Sequence, residues 1–241
     1  MGNVTFGATC RGPGHIRSGL PNQDSFLIRE YRGGTVLVVS DGVGSCQNSA
    51  LGSKAVCRAV AESLHDYMNA GGRSADIKDV LRLIHARWLF NLSPLVADTC
   101  CATVLFALVQ PDRITTGRLG DGMICAAIDG REIVITDSKE NSFSNVTQCM
   151  RYGFRYEDWD IQEFRDPEFD FLVLATDGVA DDISQNEKKF GFSRKFALEY
   201  LAEKPRLRSL RIRQMLDSWP VPHHSDDKTV ACIVRDSFNG Q

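Results

Sequence analysis

Short apolar runs separated by turn residues dominate the hydrophobic pattern of this sequence. Runs of about four to eight apolar residues bounded by Gly, Pro or Asp are typical of β-strands. A Gly-rich loop is expected over residues 11–22. Asp129-Gly130 predicts a tight hairpin, because both positions of such a turn favour positive φ. We predict strands over residues 4–8, 25–29, 36–39, 102–109, 114–119, 123–128, 131–135, 169–175 and 230–234.

Three longer segments carry apolar residues at helical spacing. Residues 48–68 and 77–92 place hydrophobic side chains about every three to four positions, and Gly71-Gly72 between them indicates an antiparallel helix pair. Residues 187–219 predict a further helical region with a break at Pro205. The polar, irregular stretch 138–160 is a candidate flap.

The order of these elements is strands, two helices, many strands, helix and a final strand. Such segregation favours an α+β layered domain over a parallel doubly wound sheet. The sequence has no internal repeat or linker, so we expect one domain over residues 1–241.

Composition narrows the class of protein. Of the 241 residues, 43% are hydrophobic and 24% are charged, which is sufficient for a buried core. A formal net charge of -3 argues against nucleic-acid binding, since phosphate contacts need a basic excess. No apolar run approaches the roughly 18 residues of a membrane span, and no signal peptide is recognised. We expect a soluble, cytoplasmic, monomeric protein.

The eight cysteines form no C-x-x-C pair, and we interpret them as buried reduced thiols. Cys125 and Arg131, and likewise Cys149 and Arg155, match the C-x5-R spacing of cysteine phosphatases. We reject this reading, because the first pair spans a predicted hairpin. The second pair lacks a following helix N-terminus that would lower the pKa of the thiol.

Aspartates follow directly after predicted strands. Asp41 and Asp177 end buried runs, Asp121 lies between two glycines, and the Asp226-Asp227 pair precedes the last strand. One Asp-Gly is most often an ordinary turn. Several converging acids repel one another unless a divalent cation lies between them, and their oxygens suit Mg²⁺ or Mn²⁺.

These acids belong to a longer series of motifs. In chain order the blocks are Asn22-Gln23-Asp24-Ser25, Val38-Val39-Ser40-Asp41-Gly42-Val43-Gly44, Asp98-Thr99-Cys100-Cys101-Ala102-Thr103, Arg118-Leu119-Gly120-Asp121-Gly122, Phe171-Leu172-Val173-Leu174-Ala175-Thr176-Asp177-Gly178-Val179 and Asp226-Asp227-Lys228-Thr229-Val230. The series resembles the metal-dependent protein serine/threonine phosphatases of type 2C over nearly the whole chain. The segment 14–24, which contains His15, is more similar to the compact bacterial branch.

The resemblance implies a four-layer sandwich of two antiparallel β-sheets flanked by helices on both outer faces. It also implies that Asp41 bridges two Mn²⁺ or Mg²⁺ ions, with Asp41, Asp177 and Asp226 as the catalytic residues. The other implied metal ligands are the Gly42 carbonyl for one ion, Asp177 and Asp226 for the second, Asp121 for a third, weaker ion, and Asp24 through water.

The sequence departs from the family pattern at two places. Val43 stands where eukaryotic members have a His that is a proposed general acid. The phosphate-binding Arg that precedes the Asn-x-Asp block has no clean match. Arg17 is the nearest, as a phosphate ligand or as a solvated loop residue, and His15 competes for that role.

We therefore expect hydrolysis of phosphoserine and phosphothreonine on proteins by a water activated between two metal ions. The substrates would be phosphoproteins in signalling, and the enzyme would oppose a serine/threonine kinase. Two alternatives stay open: a pseudophosphatase that binds phosphoproteins without turnover, and a phosphatase of a small phosphorylated metabolite.

Three other polar features have simpler interpretations. His223-His224 are read as loop residues in preference to site residues. The basic stripe 204–213 is read as a solvated helix face, with docking of an acidic partner as the alternative. No catalytic role is assigned to Asp181-Asp182.

Overall fold

Strands and helices follow one another through residues 2–70, 76–136, 148–219 and 225–239, which a computed structural model describes. The strands are β1 (Asn3–Cys10), β2 (Ser25–Tyr31), β3 (Gly34–Ser40), β4 (Val104–Gln110), β5 (Arg113–Leu119), β6 (Met123–Ile128), β7 (Arg131–Thr136), β8 (Asp160–Arg165), β9 (Phe169–Ala175) and β10 (Lys228–Arg235). The helices are α1 (Pro13–Ser18), α2 (Ser49–Asn69), α3 (Ile77–Leu92), α4 (Asp177–Ala180), α5 (Asn186–Ala202) and α6 (Arg208–Asp217).

The strands build two five-stranded sheets. One sheet has the order β1-β10-β9-β6-β7, and the other has the order β2-β3-β4-β5-β8. Every strand pair in both sheets is antiparallel. This arrangement confirms the predicted α+β class with two antiparallel sheets.

Alternation along the strands divides the core into three apolar layers. In β3, Leu37 and Val39 pack between the two sheets, whereas Val36 and Val38 face the helices outside. All four side chains are fully buried, which is why this strand reads as a continuous apolar run. The two sheets therefore form the centre of a four-layer sandwich.

Helices cover both outer faces. The apolar stripe of α2, with Val56, Val60 and Leu64, packs with α3 on one sheet. On the other side, α5 and α6 bury Phe196 and Ile212 against the sheet that contains β9 and β10. The predicted helix pair and the flanking helices are thus confirmed. No helix in the described ranges is both long and apolar enough to span a bilayer.

Two elements differ from the sequence prediction. The expected loop 11–22 contains the short helix α1, which begins with Pro13 and ends at Gly19 in the left-handed region, φ 70°. The edge strand β8, which pairs with β5, begins at the end of the candidate flap. Apolar and polar residues alternate only weakly in β8, because an edge strand whose side chains are half-buried or exposed does not need a continuous apolar face. Residues 137–147 of the flap region lie outside the described residues.

The structure contains the hairpin turn and the helix break that the sequence predicts. Asp129 and Gly130 have φ values of 53° and 69°, as the hairpin requires. The predicted helix break is also present, because α5 ends before Pro205 and α6 begins after it. Arg208 corrects the expected solvated stripe: its guanidinium donates to the carbonyls of Tyr200 and Leu201 and so caps the end of α5.

All eight cysteines are free thiols. Six of them are buried, which agrees with the interpretation from sequence. Cys46 and Cys149 are instead half-buried.

A pair of helical glycines tests the contact between α2 and the segment before β4. A Cβ added to Gly52 would lie 1.8 Å from the Cys100 carbonyl oxygen, whereas one added to Gly191 in α5 meets nothing within 4 Å. We expect Gly52→Ala to lower the free energy of unfolding by about 2 kcal/mol or more. Gly191→Ala should raise it by up to about 1 kcal/mol, because alanine favours helix. Urea unfolding measures both, and a stabilised Gly52→Ala variant would contradict the contact.

Candidate active site

Aspartates from both sheets converge where strands end on the same side of the sandwich. Asp41 interacts electrostatically with Asp24, Asp177 and Asp226, and Asp177 also interacts with Asp121. Asp24 directly precedes β2, Asp41 follows β3, Asp121 lies in the β5–β6 turn, Asp177 begins α4 after β9, and Asp226 lies just before β10. The structure therefore brings together the five aspartates that the sequence singles out.

Burial and mutual repulsion raise the pKa values of three of these carboxyl groups, those of Asp24, Asp41 and Asp177. Burial, followed by the charges of Asp24 and Asp177, raises the pKa of Asp41 well above its usual range. Burial, followed by the charge of Asp121, raises the pKa of Asp177 to about 8. For Asp24, burial raises the pKa to about 6 although neighbouring groups donate hydrogen bonds to it. At neutral pH the cluster needs protons or cations to be stable.

The donor set fits a hard divalent cation. Asp24 is 3% exposed, and its Oδ2 accepts a hydrogen bond of 2.7 Å from Thr176 Oγ1. Its other oxygen, Oδ1, is buried and accepts no hydrogen bond from the described part of the chain. The adjacent Asp41 carboxyl can donate to Asp24 only when it is protonated. Adjacent buried carboxylates without donors between them are a typical environment for Mg²⁺ or Mn²⁺.

Backbone contacts hold Asp41 and the glycine after it. The Asp41 amide donates to Thr103 Oγ1 at 2.9 Å, and the Thr103 amide donates to the Asp41 carbonyl at 2.7 Å. Gly42 donates to the Gln23 carbonyl at 3.2 Å. A Cβ on Gly42 would lie 2.7 Å from the backbone of Ser49, so the start of α2 can approach only a glycine here.

Close packing with the last loop also fixes Asp177. Its Oδ1 accepts a 2.7 Å hydrogen bond from the Gly178 amide, and a Cβ on Gly178 would lie 1.9 Å from the Asp227 carbonyl oxygen. The buried Lys228 ammonium donates to the Gly178 carbonyl and, at 2.9 Å, to Asp182. Asp182 is therefore the ion-pair partner of Lys228.

Asp227 is the site residue that sequence reasoning missed. It is 1% exposed, its Oδ1 accepts the Gly12 amide at 2.6 Å, and its Oδ2 accepts the Gln23 amide at 2.6 Å. Its Oδ2 also lies 2.8 Å from His15 Nδ1. Asp227 therefore ties the first loop to the last strand, next to Asp226. The sequence shows two adjacent aspartates before a buried strand. Spacing alone could not tell which of them faces the other acids and which accepts hydrogen bonds from buried amides.

The two candidate phosphate ligands occupy different environments. Single ligand atoms of His15, Asp226 and Asp227 all lie within 4.8 Å of one another, so His15 borders the carboxylate cluster. Arg17 is exposed in the last turn of α1 and makes no hydrogen bond or ion pair with the described residues. His223 and His224 lie outside the described residues.

Comparison with known proteins identifies the family. A family model described as Protein phosphatase 2C matches residues 11–217. The chain therefore belongs to the protein phosphatase 2C family. No curated protein sequence matches the chain.

Solved structures share the fold at low sequence identity. A bacterial serine phosphatase is 18% identical with a TM-score of 0.62, and the match covers 100% of this chain and 99% of that chain. The serine/threonine phosphatase Stp1 from Staphylococcus aureus is 18% identical with a TM-score of 0.61, covering 98% and 96%. The catalytic domain of PstP, in complex with two manganese ions, is 16% identical with a TM-score of 0.59, covering 97% and 99%.

The carboxylate cluster makes the cation-free protein sensitive to pH. The folded-state pKa values of Asp24 and Asp177, about 6 and about 8, exceed those of an unfolded chain. The folded state therefore binds more protons, and this stabilisation is present below about pH 4 and is lost as the pH rises to about 8. Urea unfolding in EDTA should show lower stability near about pH 8 than near about pH 5.

Asp177→Asn should reduce this pH dependence, because it removes one of the raised carboxyl groups. Asp170→Asn, on β9 outside the cluster, is the matched control and should leave the dependence unchanged. An equal pH dependence in wild type and Asp177→Asn would show that this carboxyl group does not have a raised pKa.

Proposed function

We propose that the five-aspartate cluster is the active site for metal-dependent hydrolysis of phosphoserine and phosphothreonine on proteins. The observation that carries this proposal is the convergence of these carboxylates, since burial and repulsion raise the pKa values of Asp24, Asp41 and Asp177. Membership of the protein phosphatase 2C family supports it, as does the structural relative that binds two manganese ions.

Different residues of the cluster would bind different metal ions. Asp41, which interacts with Asp24, Asp177 and Asp226, would bridge two Mn²⁺ or Mg²⁺ ions. The remaining ligands would be the Gly42 carbonyl for one ion, Asp177 and Asp226 for the other, Asp121 for a third ion, and Asp24 through water. Bound ions would supply an activated water and neutralise the charge of the phosphoryl group.

The protein's own contribution is rigid placement of these oxygens. Thr103 holds the backbone of Asp41 from both sides, and Thr176 orients Asp24. These contacts keep the acids in place despite their repulsion, so little reorganisation is needed when the ions and the phosphoryl group arrive.

His15 and Arg17 would bind the phosphoryl oxygens. Because Asp227 engages His15 Nδ1, only Nε2 is left to meet a substrate oxygen. Arg17 is exposed and lies two residues after His15 in the chain. Its guanidinium group can donate two hydrogen bonds to a phosphate. Val43 supplies no proton to the leaving oxygen, so that proton comes from water or from another group.

The expected action on phosphoproteins, opposite a serine/threonine kinase, stays part of the proposal, as do the monomeric state and the cytoplasmic location. No feature of the described residues favours a pseudophosphatase or a phosphatase of small metabolites. Turnover of a phosphopeptide panel compared with turnover of small phosphate esters separates these functions.

Asp41→Asn tests the assignment of the cluster. Neutralising the central acid should lower kcat/KM for an aryl phosphate in Mn²⁺ by about a thousandfold, since the charge that holds the ions is lost. Wild-type activity should vanish in EDTA and return with Mn²⁺. Asp170→Asn is the matched control with wild-type activity. A folded, fully active Asp41→Asn variant would disprove the site.

Arg17→Ala tests the phosphate contact. Loss of the guanidinium should raise KM for a phosphopeptide by about tenfold with a smaller change in kcat, because binding is weakened before the reaction begins. Arg58→Ala, which removes an exposed arginine on α2, is the control. Unchanged kinetics for Arg17→Ala would make it a solvated residue and would leave His15 as the candidate.

A further inference from the structure

Three thiols from separate parts of the chain meet beside the aspartate cluster. Cys46 lies in the loop between β3 and α2, Cys101 lies just before β4, and Cys149 lies before β8. The phosphatase chemistry proposed above uses no thiol. Their grouping therefore calls for a separate explanation.

Shared hydrogen bonds bring these thiols together. Cys46 Sγ donates to the Asp98 carbonyl at 3.4 Å, and Cys101 Sγ donates to the same oxygen at 3.5 Å. Cys46 and Cys149 are both close enough to Cys101 to raise the pKa of its thiol. Cys101 therefore interacts with each of the other two thiols.

The backbone holds the three segments in this arrangement. The Val43 amide donates to the Cys101 carbonyl at 3.0 Å, and the Asn48 amide donates to the Thr99 carbonyl at 2.8 Å. The Met150 amide donates to the carbonyl of the residue after Cys101 at 2.8 Å. The proximity of the thiols is therefore built into the packed structure.

Exposure distinguishes this group from the other thiols. Cys46 and Cys149 are half-buried, so a small oxidant can reach them. Cys101 is 9% exposed behind them. Cys57 and Cys232 are buried in the apolar layers outside the two sheets, away from this group. Burial raises the pKa of the Cys101 and Cys149 thiols, and neighbouring thiols raise that of Cys101 further. Cys46 is more exposed than Cys101, so a small oxidant reaches the Cys46 sulfur first.

We propose that Cys46 and Cys101 form a disulfide when the protein meets hydrogen peroxide, which makes them an oxidation site on the rim of the active site. The Cys46 thiol loses its proton, the thiolate attacks one peroxide oxygen, and the O–O bond breaks to give a sulfenic acid and hydroxide, which takes up the released proton as a first water. Cys101 Sγ then attacks the Cys46 sulfur, and the S–O bond breaks with release of a second water. The two thiols lose two electrons and two protons, and the peroxide is reduced to water.

The disulfide has a consequence that rests on the proposed function. Thr103, two residues after Cys101, holds the backbone of Asp41, and Cys46 lies in the loop that follows Asp41. An S–S bond replaces two contacts to the Asp98 carbonyl and draws both segments toward each other. We expect the shift to lower phosphatase activity reversibly.

Peptide mapping of the full-length protein tests the chemistry independently of activity. Peroxide treatment, alkylation and tryptic digestion without reduction should yield a linked peptide that joins Cys46 to Cys101. Its yield should exceed that of any link through Cys57 or Cys232 by about tenfold. Absence of this link, with all thiols alkylated, would overturn the proposal.

Serine variants assign the partners. Cys46→Ser and Cys101→Ser should each abolish the link. Cys100→Ser is the matched control, because Cys100 shares the tryptic peptide of Cys101 but is fully buried, with its sulfur 3.6 Å from Thr99 Oγ1. The link should persist in Cys100→Ser and in Cys149→Ser. A wild-type digest in which the Cys101 peptide is joined to the Cys149 peptide instead of the Cys46 peptide would overturn the assignment.

Activity measured in Mn²⁺ gives the second readout. Peroxide should lower wild-type activity in parallel with the linked peptide, dithiothreitol should restore it, and Cys46→Ser should resist inactivation. A link that forms without loss of activity would overturn the regulatory part. Absence of any phosphatase activity before oxidation would instead refute the proposed function, while the peptide map still decides whether the disulfide forms.

Discussion

Repulsion among buried carboxylates is the constraint on which the site depends. Asp41 and Asp177 come from different sheets, yet the charge of Asp177 raises the pKa of Asp41, and the charges of Asp24 and Asp226 raise the pKa of both. Such a cluster opposes folding unless protons or cations neutralise it, so the rest of the structure has to hold it in place. Two sheets with a fully buried layer between them provide that rigid support, because their strand ends cannot separate without exposing the layer.

The loops at this end are joined by contacts that only particular residues allow. Asp227 accepts amide hydrogen bonds from the first loop, and Gly178 permits the closest approach of the last loop to α4. Gly42 does the same for α2. The same packing that positions the acids also brings Cys46 and Cys101 to one carbonyl oxygen, so the acid cluster and the thiol group share supporting segments.

Much of the fold was predictable because its signals are local. The four residues 36–39 before Ser40 and Asp41 are all apolar, and in β3 they are buried on both faces. The hairpin at Asp129 depends on two residues with positive φ. By contrast, α1 and β8 were missed, since a six-residue helix and a polar edge strand leave little periodicity. Both are stabilised by tertiary contacts more than by their own sequence.

The sequence by itself determined which acids would be candidates for one site: the series of strand-terminal aspartates, and the glycines after them, predict a carboxylate cluster before any coordinates. Only the tertiary structure decided how neighbours in sequence divide their roles. Asp226 faces the cluster while Asp227 accepts buried amides, and Cys101 meets other thiols while Cys100 is buried. The physical reason is that adjacent residues share composition and spacing, but burial and partners depend on which distant segments pack against each side chain.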